Sequence, residues 1–162
     1  YQEAAERALS TRRYRFQAKI EMAALSADWR EAVDDPSDLI VRSALTADLV
    51  VLPLETGASG PDGASVALRA GRPVLLVPSK TAETRMDRIV IAWRDGREAR
   101  LAVTSALPLL QAAKSVTVLS VRGETVGHEF DQQLADVRSW LFGHGVDPWM
   151  EVAQADGRSP GH

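Results

Sequence analysis

The chain contains no cysteine, which excludes a disulfide framework and a thiolate metal site. It has no excess of positive charge either: the formal net charge is −3 and the sequence pI is about 5.6. A nucleic-acid surface needs a clustered basic face, so this balance speaks against one. Long apolar runs are missing as well. The most compact ones, DLVVLPL (48–54) and PVLLVP (73–78), have the length of strands and fall far short of a bilayer span. The three histidines show no metal-ligand spacing. Neither a Gly-x-Ser-x-Gly elbow nor a P-loop lysine after the glycines occurs. No signal peptide is visible, and because the chain opens at Tyr1 inside a helical pattern, its true N-terminus is expected to lie upstream. A cytoplasmic, membrane-free protein is the expectation.

What is present is the profile of a soluble globular protein, with 45% apolar and 25% charged residues in 162 positions. Ala4, Ala5, Ala8, Leu9, Phe16 and Ile20 recur at helical spacing over 2–24, and residues 27–33 (ADWREAV) alternate as a short strand does. Asp35 is placed to cap a helix over 37–47, with Pro36 in its first turn, where a missing N–H costs nothing. A buried strand at 48–54 follows, then a glycine-rich loop (55–65), a short helix through Leu68 and Arg69, and a strand at 73–78. Residues 79–86 read as a linker. The order then restarts: strand 87–93, helix 96–113, strand 115–121, helix 129–142 and a strand at 146–153. Pro108 predicts a kink or an early end near Leu107. Gly143 or Gly145 is expected to close the last helix in the left-handed conformation. Alternating strands and helices specify βαβ units and a mostly parallel sheet.

The two ends of the chain resemble each other. Trp29-Arg30-Glu31 and Trp149-Met150-Glu151 each follow an amphipathic helix and precede an acidic turn, a domain length apart. The natural reading is a tandem of two similar α/β units, residues 1–78 closing the first and 87–162 opening the second.

ADLVVLPL, the glycine loop and SVALRAGRPVLLVPSK resemble the closing half of a universal stress protein domain. DRIVIAWRDGREARLAV, with ALPLL downstream, resembles the opening half of the next, as in tandem bacterial members. The resemblance implies a flavodoxin-like (Rossmann-like) parallel sheet with helices on both faces, paired into dimers or pseudo-dimers. It also implies a non-enzymatic stress-response or regulatory role, with ATP bound by some members in the crevice at the carboxyl ends of the strands. That crevice is where open α/β sheets hold ligands on topological grounds. A nucleotide-handling enzyme of related topology and a pure assembly module are the alternatives.

In ATP-binding members an acidic residue follows the first strand. Here Arg94 occupies that position and Asp95 comes one place later. Asp95 is expected to cap the following helix, with Glu98 completing a capping box, which leaves Arg94 and Arg97 as candidates for an anion. The phosphate loop of the family begins with two glycines flanking two residues, matched by Gly57-Ala58-Ser59-Gly60, and Gly63 and Ser65 extend the tract. Its closing Gly-Ser/Thr element fails at Ala70-Gly71-Arg72. The first unit is therefore expected not to bind. Trp29, Trp93, Trp140 and Trp149 read as core or interface anchors rather than a stacking platform.

Overall fold

The computed structural model describes residues 2–57, 59–78, 80, 85–122 and 128–154. The expected linker (79–86), Ala58 of the glycine loop and the acidic turn after the last strand lie largely or wholly outside them. The order of elements is α1 (Gln2–Met22), α2 (Pro36–Ser43) with a 3-10 turn (Ala44–Thr46), β1 (Val50–Pro53), α3 (Gly63–Arg69), β2 (Val74–Val77), β3 (Arg88–Trp93), α4 (Arg97–Ala112), β4 (Ser115–Arg122), α5 (His128–Gly143) and β5 (Trp149–Gln154). This is an α/β fold with parallel pairing throughout. β1 pairs with β2, and β3, β4 and β5 form a three-stranded sheet in that order. No helix among the described residues is long and apolar enough to cross a membrane.

Each sheet has its own core. Ala44, Val50, Leu52 and Val66 form one, with Ile40, Val41, Ala70 and Val74 packed around it. Ile91, Val103, Leu110, Val116, Val118, Leu134, Val137, Leu141 and Val146 form the larger one. Alternation along the strands explains the membership: Ile89, Ile91 and Trp93 stand beside Val116, Val118 and Ser120, on the side that α4 and α5 cover. The intervening residues face away. Trp149 sits next to Thr117 and is 76% exposed, and Val90, on the other side of Thr117, is 63% exposed. Parallel sheets ordinarily have both faces covered. Here one face of β3–β5 is bare among the described residues.

Local chemistry sets the boundaries. The Asp35 carboxylate accepts from the Ser37 and Asp38 amides (2.9 and 3.1 Å), as its N-cap position predicts. Gly145 (φ 80°) closes α5: its amide donates to the Phe142 carbonyl, the Val146 amide reaches back to Leu141, and both Val146 and Leu141 enter the core.

Three expectations need correction. Residues 27–33 form no strand; Trp29 instead rests on Phe16 (5.4 Å between centroids) and donates its indole N–H to Glu31. Without a neighbouring strand the alternation has nothing to pair with, so the likeness to β5 is one of sequence only. β1 is not wholly buried: Val50 and Leu52 are, but Val51 and Pro53 are exposed, because a two-stranded sheet with helices on one side hides only one face. Of the kink or early end expected near Leu107, the early end does not occur, since α4 runs on through Pro108 to Ala112. Thr104 and Pro108 are both exposed, so the carbonyl that loses its partner can turn to water.

Candidate functional site

The carboxyl ends of the strands carry two cavities, one per sheet. The first, about 420 Å³, lies beyond β1 and β2 and is lined by Thr56, Gly57, Gly60, Asp62, Gly63 and Leu76 among others. It gathers three of the sequence-predicted residues, Gly57, Gly60 and Gly63, but not Ser65, which lies within α3. Its construction is unsuited to phosphate. Among the described residues the glycines with left-handed backbone are Gly71 and Gly145, so the loop glycines do not build the alternating nest that cradles anions. The Gly60 amide closes a turn on the Gly57 carbonyl (2.8 Å), and a Cβ at Gly60 would lie 2.7 Å from that of Thr56. Glycine is needed there to let the turn close. Among the described residues the charged side chain lining the cavity is Asp62, whose carboxylate caps α3 at the Ala64 amide (3.1 Å) and so occupies the position an anion would take.

The second cavity, about 570 Å³, lies beyond β3 and β4 and is lined by Trp93, Arg94, Asp95, Leu119, Ser120, Phe130 and Gln133 among others. Arg94 and Asp95 are brought together here as the strand-to-helix corner implied. The capping expectation fails, however. The N-cap of α4 is Gly96, with no side-chain hydrogen bond, and the Asp95 carboxylate instead takes both ends of the Arg100 guanidinium (2.8 and 2.7 Å). A planar guanidinium fork matches a carboxylate in two parallel bonds, a stronger claim on it than one exposed amide. Arg100 therefore holds the Asp95 carboxyl below the usual carboxylate range, and Asp95 raises Arg100 in turn.

The consequence for the crevice is electrostatic. With Asp95 paired to Arg100, Arg94 is the charged side chain lining the cavity that has no ion pair among the described residues. Ser120 donates its hydroxyl to the Trp93 carbonyl (2.8 Å), which ties the ends of β3 and β4 together beneath the cavity. At the same end, Arg122 closes β4, lies over the Phe130 ring (4.9 Å) and pairs with Asp131, and its Nε is buried without a partner among the described residues. Sequence reading missed Ser120, Arg122 and Phe130. The signal was present for Arg122: it follows an apolar strand directly, the same place in the second βα unit that Arg94 holds in the first.

His128 and His144 behave as helix-end residues. His144 Nδ1 lies 2.8 Å from the Trp140 carbonyl and its ring packs on Trp140, and His128 opens α5. Among the described residues no group of three or more His, Asp or Glu could hold a metal ion. Comparison with protein-family models and with curated proteins gives no match.

Proposed function

We propose that the chain is a non-enzymatic, nucleotide-responsive regulatory protein of the universal stress type, acting in the cytoplasm. In this reading it carries the closing half of one domain and the opening half of a second. The observation that carries the proposal is the crevice of about 570 Å³ beyond β3 and β4, with Arg94 as a lining charge that has no ion pair among the described residues and Phe130 and Leu119 as apolar wall. A flat base packs against apolar and aromatic side chains, while a phosphate chain needs a cation whose charge is not already spent. The Asp95–Arg100 pair removes the carboxylate repulsion that would otherwise oppose it. Turnover is not part of the reading, because the Ser120 hydroxyl is engaged by a carbonyl rather than by a base.

Calorimetric titration of the nucleotide-free chain with ATP and magnesium tests this. Saturable binding at one site, weakened about tenfold by Arg94→Gln, is expected from the loss of a charge-assisted hydrogen bond. Absence of heat at millimolar ATP would overturn the nucleotide part. A second reading, assembly through the bare sheet face, rests on a different observation, the exposure of Trp149 and Val90.

A further inference from the structure

Between α4 and α5 runs a groove of about 400 Å³, on the helix-covered side of the sheet. Its volume falls in the range of small-molecule sites, about 300–1,000 Å³. Trp93 and Trp140 line it, with buried Val103 and Val137 beneath. We propose that this groove binds a small organic cation that also carries a hydrogen-bond acceptor. The inference does not depend on nucleotide binding, although Trp93, Asp95 and Gln133 line both cavities.

Three features select the ligand's chemistry. Of the three charged side chains lining the groove, Asp95 and Arg100 cancel in their bidentate pair. Asp136 is left with a hydrogen bond from the neutral Gln132 amide (2.9 Å) and no ion pair among the described residues. The groove thus keeps one negative charge. It is flanked by two indole rings, whose faces attract cations through their quadrupoles. The third feature is Trp93 Nε1, which is buried without an acceptor among the described residues. A buried indole N–H ordinarily finds a partner, and an acceptor oxygen on the ligand would supply one once the Trp93 side chain, which lines the groove, turns to bring its N–H to it. Carboxylate, aromatic walls and a waiting donor together favour an amine with a hydroxyl or carbonyl, and disfavour an anion.

Tyramine, with an ammonium, a ring and a phenolic oxygen, is a suitable probe, and p-cresol is its uncharged counterpart. Titration of the full chain, followed by tryptophan emission and by calorimetry, is expected to give saturable tyramine binding, with p-cresol weaker by about tenfold. Asp136 is exposed on α5, so Asp136→Asn is expected to leave the melting temperature unchanged while weakening tyramine about tenfold. Trp93→Phe, which keeps a ring and removes the donor, should weaken it about fivefold. Arg94→Gln should leave it unaltered, which separates failure of this site from failure of the nucleotide reading. Equal affinity of the wild type and Asp136→Asn for tyramine, or no saturable response up to ~10 mM, would overturn the proposal.

Discussion

Asp95 illustrates how a single side chain divides between local and tertiary partners. An acidic residue just before a helix, with a glutamate three places on, is the pattern of a capping box. In the folded chain its carboxylate turns instead to Arg100 in the first turn of α4. The folded carboxyl therefore titrates below the ordinary value, so the unfolded chain binds the proton more readily. The pair's contribution to stability is present above the unfolded carboxyl value and is lost as pH falls through the folded one. Carbon-detected NMR titration is expected to show the depressed midpoint, and Arg100→Gln to move it up toward the usual range. A midpoint unchanged by that substitution would count against the pair. The same substitution should leave the helicity of α4 nearly intact, since Gly96 and not Asp95 is its N-cap.

At the scale of elements, helix ends were the most legible parts of the sequence. Asp35 and Gly145 act through bonds to residues within a few positions, and such bonds are encoded locally. Gly145 also allows a clean test. A Cβ there would meet nothing within 4 Å, so Gly145→Ala introduces backbone strain without a clash. The expected loss is about 1 kcal/mol. Urea unfolding of the core around Leu141 should show a lower midpoint at unchanged slope. A loss several times larger would mean that the turn tolerates alanine only by disturbing the packing of Val146 on Leu141. The C-terminus of α1 shows the converse arrangement: Ala24 occupies the left-handed position (φ 50°) that glycine fills after α5.

For the molecule as a whole, the distribution of apolar surface sets the behaviour. The buried residues form two clusters, one for each sheet, and the crossover helices leave Val90 and Trp149 uncovered in one row across β3, β4 and β5. A row of this kind can bury itself against its own copy about a two-fold axis. Sedimentation equilibrium is then expected to show a mass that rises with protein concentration. Trp149→Ser should abolish that rise, because aromatic residues dominate such contacts, while the melting temperature of the monomer stays unchanged since the side chain is 76% exposed. A monomer at all concentrations would remove the assembly reading.

By itself, the sequence determined the elements and their class. Hydrophobic periodicity and turn chemistry depend on neighbours a few residues away, so β3, α4, β4, α5 and β5 were readable in order, together with the cap at Asp35 and the left-handed glycine after α5. Only the tertiary structure decided which strands find partners and which charges remain free. Residues 27–33 alternate like a strand yet pair with none, because pairing needs an edge that local pattern does not specify. The glycine loop has the composition of a phosphate site, but in the fold the Asp62 carboxylate sits on the Ala64 amide beside it. Arg94 matters because Arg100 neutralises Asp95 beside it, and the groove of Trp93, Trp140 and Asp136 exists only once α4 and α5 lie over the same sheet. Those properties belong to distances between segments, and the fold sets these distances.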